Sequence, residues 1–159
     1  MTYSFPVVPR YAEIDQQGVV FNAHYLIWFD EALTGFLDHL GLPYPLLIAG
    51  GTDVQVVHTE LDYAVPVRWG DGVLVEVACE RVGTTSFTLA FTVQRRGKDD
   101  AEETLAVSGR TVYVCIDATD ATDGTKRPVP APLGAALRAA PVDVPGAAST
   151  DSRWRPSRP

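Results

Sequence analysis

The chain has 159 residues and a formal net charge of −7: enough for one domain with a real core, and the wrong sign for a nucleic-acid partner, since no compensating basic stripe is visible. Its two cysteines, Cys79 and Cys115, lie in strand-like apolar runs with no CxxC or metal-type His/Cys cluster. They read as reduced core residues of a cytoplasmic protein, with no metal site, and neither a membrane-length apolar run nor a signal peptide is seen.

Ser4–Ala12 carries two prolines among Phe5, Val7 and Val8. It is predicted to be an edge or irregular strand, because proline cannot donate to a ladder. A polar bend follows, Asp15-Gln16-Gln17-Gly18, backed by Val19 and Val20. Beyond it Tyr25, Trp28, Phe29, Ala32, Leu33, Phe36, Leu37 and Leu40 recur at three-and-four spacing, which predicts a long α-helix from Asn22 to Leu40. Asp30, Glu31, Thr34 and Asp38 fall mostly on its opposite face. Asn22 is placed as the N-cap, with Phe21 and Leu26 as a hydrophobic staple, and Gly41 with Pro43 stops the helix. Pro43–Asp53 is a loop with a helical turn at Leu46–Ala49.

From Val54 the apolar period changes to two. Strands are predicted over Val54–Pro66, from Val73 through Cys79, around Phe87–Val93, and over Leu105–Asp117. The turns between them are Gly70-Asp71-Gly72, Gly83 and the charged Gly97–Glu103 loop. Pro132–Ala140 is a weak helix candidate. Residues 141–159 are rich in Pro, Ala, Ser and Arg and read as a disordered tail, leaving a single domain over 1–140. The class is α+β: one long helix wrapped by an antiparallel sheet of about five strands. Such a sheet leaves edges open, and pairing two copies would cover them, so at least a dimer is expected.

These elements resemble the hotdog-fold acyl-CoA thioesterases of the 4-hydroxybenzoyl-CoA thioesterase type, over about Phe5 to Pro132. The most specific stretch is Asp15-Gln16-Gln17-Gly18-Val19-Val20-Phe21-Asn22, running into Tyr25, Phe29 and Glu31-Ala32. Leu61-Asp62-Tyr63 with Pro66 and Gly70-Asp71 is a second part, and Arg81-Val82-Gly83 with Ser86-Phe87 a third. Val112–Asp117 leading to Arg127-Pro128-Val129-Pro130 is the fourth.

The resemblance implies hydrolysis of an acyl-CoA thioester without metal or organic cofactor, in a homodimer or homotetramer with the site at the dimer interface. It implies Asp15 as the catalytic carboxylate, nucleophile or general base, with an oxyanion held by backbone N–H groups near Asn22 and Ala23. Unsatisfied N–H groups at a helix N-terminus suit that task, and Gly18 permits the tight turn beside them. As a bland alternative, Asp15 is a turn former. His24 is either a hydrogen-bond donor to the site or an interface histidine. Val20 and Phe21 are expected to shape an apolar lining, with Tyr25 and Tyr63 also contacting substrate. Arg81, Thr84, Thr85 and Ser86 stand where the family has a basic turn suited to coenzyme A phosphates. That turn is poor in cations here, so a thioester on an acyl carrier protein is a rival, as is a non-catalytic acyl-CoA binding subunit. Glu31 and Glu60 are reserve carboxylates, and His58 with Glu60 reads as a surface pair.

Overall fold

The computed structural model describes residues 3–119 and 124–140. A short strand, β1 (Tyr3–Val7), leads through a 3-10 turn at Tyr11–Glu13 to the helix α1 (His24–His39) and the short α2 (Tyr44–Ala49). Four long strands follow, β2 (Thr52–Tyr63), β3 (Gly72–Val82), β4 (Ser86–Arg96) and β5 (Thr104–Asp117), and then α3 (Ala131–Ala139). All pairings are antiparallel, in the order β1-β3-β4-β5-β2. The α+β architecture expected from the periodicity is the one observed. The tail expected over 141–159 lies outside the described residues.

Alternation makes the sheet two-faced. Val73, Val75, Val77 and Cys79 of β3 and Phe87, Leu89, Phe91 and Val93 of β4 turn to the core. The buried stripe of α1, from Tyr25 to Leu37, lies on that face. Phe29 stacks on Phe91 with ring centroids 4.4 Å apart, which seats the helix over the middle of the sheet. Gly109 of β5 makes room for this: a Cβ there would stand 2.8 Å from the Phe29 ring and 2.7 Å from the Glu60 carbonyl. Register shifts between Val56 and His58, Cys79 and Arg81, and Val93 and Gln94 mark irregularities in three of the ladders. Such bulges strengthen twist, as a sheet curled around a helix requires. Cys79 and Cys115 are buried and free, and burial raises both thiols, Cys115 to about 11.

Several boundaries differ from expectation. β1 ends at Val7, and the chain then tightens into the Tyr11–Glu13 turn instead of staying extended to Ala12. There the Glu13 carboxylate bonds back to the Arg10 backbone N–H at 2.7 Å. α1 begins at His24, with Ala23 at the cap position in helical conformation and no side-chain cap. Asn22 is therefore not the N-cap; a turn from the Phe21 carbonyl to the His24 N–H, 3.0 Å, precedes the helix. Phe21 and Leu26 stay 46% and 39% exposed rather than closing as a staple. β2 stops at Tyr63, short of Pro66, because Ala64 and Val65 both donate to the single Ala106 carbonyl, at 2.8 and 3.1 Å, and the ladder ends.

Candidate active site

The Asp15 bend is built from its own backbone. Gly18 takes a φ of +74° and donates to the Asp15 carbonyl at 3.0 Å, and Asp15 donates to the Val19 carbonyl at 2.9 Å. An L side chain strains that φ, so glycine is required at the corner. The Asp15 carboxylate Oδ1 accepts from the Gln17 N–H at 2.7 Å, which fixes its orientation in a half-buried setting. Asp15 is thus a turn former as well as a candidate catalyst, and the two readings are compatible.

The bend is anchored at both flanks. On one side the Val20 N–H bonds to the Val67 carbonyl at 2.8 Å. On the other stands Glu13, 3% exposed, whose carboxylate accepts from the Arg10 guanidinium at 3.0 and 3.3 Å and from the Trp28 indole N–H at 3.2 Å. Burial raises the Glu13 pKa, but the hydrogen bonds from Arg10 and Trp28 outweigh it and hold the group below the usual glutamate value. The Glu13 carbonyl accepts the Phe21 N–H at 2.9 Å, closing the loop onto the start of the helix.

Around the N-terminus of α1 several of the expected site residues meet. Among the described residues, the N–H groups of Asn22 and Ala23 have no backbone acceptor, whereas that of His24 is used by Phe21. The Asn22 carbonyl accepts the Tyr63 hydroxyl at 3.0 Å, which ties the end of β2 to this corner. Tyr63 packs edge-on to Tyr25, and Tyr25 on Trp28, with centroids 5.7 and 5.1 Å apart. The His24 ring stands edge-on to exposed Phe21, and its buried Nδ1 has no hydrogen-bond partner. Val20 and Tyr25 differ from the expected lining: both are core residues, and the Tyr25 hydroxyl oxygen accepts from the Val67 N–H at 3.4 Å.

A cavity of about 400 Å³ opens along the outer flank of α1. Leu26, Ile27, Asp30 and Glu31 line it from the helix, and Val56, Thr59, Thr111 and Tyr113 from β2 and β5. Apart from Glu31, none of these was singled out from sequence for a functional role. The signal was available: Leu26 and Ile27 are apolar residues off the core stripe, where an amphipathic surface helix carries polar ones. Glu60 is not in this cavity. It lies on the exposed β2 ladder, 3.1 Å from the Arg110 guanidinium and 3.8 Å from the His58 ring.

Arg81, Thr84, Thr85 and Ser86 are gathered elsewhere, around a separate hollow of about 280 Å³ at the β3–β4 turn. The Thr84 and Thr85 carbonyls are already engaged there by the Val129 and Cys115 N–H groups, at 2.9 and 2.8 Å. The Asp15 bend sits by Val67, before β3 begins at Gly72, and the turn lies after β3 ends at Val82. Roughly 30 Å of strand separates them within one chain. Among the described residues no three His, Cys, Asp or Glu side chains are grouped to hold a metal ion, and no helix is long and apolar enough to cross a membrane.

Comparison with known proteins places the fold in a family. The family model of the thioesterase-like superfamily matches residues 9–143. The acyl-CoA thioester hydrolase YbgC of Escherichia coli is 30% identical over 115 residues, 72% of this chain and 82% of that one. A 1,4-dihydroxy-2-naphthoyl-CoA hydrolase of Thermosynechococcus vestitus is 27% identical over 136 residues, 85% of this chain and 88% of its own. The crystal structure of a 4-hydroxybenzoyl-CoA thioesterase variant complexed with 4-hydroxybenzoyl-CoA superposes with a TM-score of 0.77. It covers 86% of this chain and 98% of that one at 16% identity, a likeness of fold alone. With a five-stranded antiparallel sheet wrapped on one long helix and a family match over most of its length, the chain belongs to the thioesterase-like superfamily, as a thioester hydrolase with the hotdog fold.

Proposed function

We propose that the protein hydrolyses the thioester of an acyl-CoA bearing a small aromatic or short-to-medium aliphatic acyl group, with Asp15 as the essential carboxylate. The observation that carries this reading is the pairing of an oriented carboxylate with acceptor-free N–H groups: Asp15 held by Gln17, and Asn22 and Ala23 at the start of α1. As the thioester carbonyl is attacked, its oxygen takes negative charge, and those two N–H groups are suited to hold it. Asp15 either attacks the carbonyl carbon, giving an anhydride that water then opens, or takes a proton from the attacking water. In both routes the C–S bond breaks, coenzyme A leaves as its thiol, and the products are a carboxylic acid and free coenzyme A. The reading calls on no metal or organic cofactor, coenzyme A being part of the substrate.

The cavity of about 400 Å³ along α1 supports an acyl group of modest size. Its mixed walls, Leu26 and Ile27 against Asp30 and Thr59, suit a ring or short chain with a polar substituent. A homodimer is part of the proposal. β2 is an edge strand with Val56 and Val57 52% and 58% exposed, an open template for a second copy. Antiparallel pairing of two β2 edges brings the Asp15 end of one copy toward the β3–β4 turn of the other, uniting the two groups of expected site residues that one chain keeps apart. Two such dimers would make the tetramer.

Thiol release from a panel of acyl-CoA esters, native protein against Asp15→Asn, tests the reading. Turnover reduced by about a hundredfold or more in the variant is the expected result; turnover unchanged in the variant moves the chemistry off Asp15. A carrier-protein thioester is the second reading, favoured because Arg81 is the only charged residue lining the hollow at the β3–β4 turn. Turnover of phosphopantetheine-linked acyl groups on a carrier protein, with poor activity on the coenzyme A esters, would establish it. Binding of acyl-CoA without turnover of either substrate would make the protein a binding subunit.

A further inference from the structure

Glu13 is the most deeply buried carboxylate among the described residues, and the reaction outlined above makes no use of it. Its two oxygens face four donors: Oε2 takes the Arg10 backbone N–H at 2.7 Å, and Oε1 takes Arg10 Nε, Arg10 Nη2 and Trp28 Nε1 at 3.3, 3.0 and 3.2 Å. An ionised carboxylate only accepts, so it is the group this ring of donors demands. The bonds run to two places. Arg10 marks the start of the segment carrying the Asp15 bend, and Trp28 lies in α1, fully buried, one turn beyond His24. The Glu13 carbonyl meanwhile holds the Phe21 N–H at 2.9 Å, where the same segment re-enters the helix. Asp15 lies inside the loop whose neck is Glu13.

We propose that Glu13 is a positioning residue, which pins the Asp15 bend to α1 through Trp28 and so sets the place of the Asp15 carboxylate relative to the Asn22 and Ala23 N–H groups. The proposal rests on the thioesterase reading above, and its test includes a measurement that does not depend on activity. Glu13→Gln keeps the volume and puts an NH₂ group where an oxygen had been. With the NH₂ group at the Oε2 position the Arg10 backbone N–H loses its acceptor; with it at the Oε1 position the Arg10 guanidinium and Trp28 indole bonds are lost together. A displacement of about an ångström at a reacting group can cost on the order of 100-fold in rate.

The test compares native protein, Glu13→Gln and the exposed-site variant Arg10→Gln, by steady-state kinetics on an acyl-CoA ester and by amide hydrogen exchange. In Glu13→Gln, kcat is expected to fall about 10- to 100-fold with KM within about threefold. Exchange should quicken at Asp15, Gly18 and Phe21, whose N–H bonds close the bend, while Phe91 in the sheet keeps its protection. Arg10→Gln should show the same pattern, more weakly. Native kcat in Glu13→Gln overturns the proposal. So does exchange that rises equally at Phe91, because Glu13 would then serve only overall stability. If the native protein releases thiol from no ester, the thioesterase reading falls, and unchanged protection of the bend in Glu13→Gln would still overturn the pinning role. Should Glu13→Gln not fold, Trp28→Phe, which takes the indole N–H away from Glu13, replaces it, and native kcat with native bend protection there overturns the proposal.

Discussion

Replacing Gly109 by alanine puts a single methyl group into a tight place between α1 and the sheet. The new Cβ would lie 2.7 Å from the Glu60 carbonyl oxygen of β2, 2.8 and 3.2 Å from two atoms of the Phe29 ring, and ordinary contact begins near 3.4 Å. Both contacts must be relieved, so β5 must move from β2 by about 0.7 Å and the Phe29 ring must shift on its stack with Phe91; the backbone carbonyl cannot rotate away as a flexible side chain would. Overpacking of this kind costs about 1–3 kcal/mol, and the lower entropy of an unfolded alanine returns about 0.4–1 kcal/mol. The expected net loss is about 1.3 kcal/mol, or about 3–5 °C in Tm for a chain of this size. Urea unfolding should show a lower midpoint with an unchanged slope. Gly72→Ala is the control, because its Cβ would meet nothing closer than 3.8 Å and its φ is not left-handed; it should change stability by about 0.5 kcal/mol or less. Equal stability of Gly109→Ala and native protein would refute the account of how α1 is seated.

The depressed pKa of Glu13 gives a pH dependence with a definite sign. Its stabilisation is present above the usual glutamate value and is lost as pH falls through the lower value in the folded state. Tm should therefore drop more steeply on acidification below about pH 5 in native protein than in Glu13→Gln; parallel curves would remove Glu13 from the acid limb. At the β2 edge, light scattering of the native protein should give two or four times 17.2 kDa, and Val57→Asp should lower it. A native monomer, or an unchanged mass in the variant, would rule out β2 pairing.

β3 and β4 were legible because Val73, Val75, Val77 and Cys79, then Phe87, Leu89, Phe91 and Val93, recur at every second position between glycine-containing turns, and the buried stripe of α1 was legible because every core position fits one face. The cap of α1 was misplaced by one residue, at Asn22 instead of Ala23: Asn22 and Phe21 carry a good capping pattern, but the turn onto His24 and the Tyr63 hydroxyl on the Asn22 carbonyl take precedence. Asp15, Gly18 and the helix start could be found because they are neighbours in sequence. Of the cavity only the α1 wall, through the off-stripe Leu26 and Ile27, left a sign in the sequence; its other walls come from β2 and β5, and only tertiary packing brings Ile27 to Val56 and Thr111. Glu13 was missed for a related reason. Its nearer partner, Arg10, is three residues away, but the bond that gives it meaning reaches Trp28, fifteen residues on. Nor could periodicity have separated the Arg81 group from the Asp15 group, since strand length alone sets their distance.

The order β1-β3-β4-β5-β2 also bears on how the chain comes off the ribosome. Both outer strands and α1 are made first, and the central β3-β4-β5 meander last. When Tyr63 emerges, α1 has an apolar face and no central strand to cover it, and β2 must wait for β5, which starts at Thr104. Little of the N-terminal half can be stable during synthesis, so folding is expected to start from the hairpins of the meander and to recruit β1, α1 and β2 afterwards. Long-range closure of this kind slows folding, and it leaves Trp28, Phe29 and Phe36 open to chaperones until the last strand is complete.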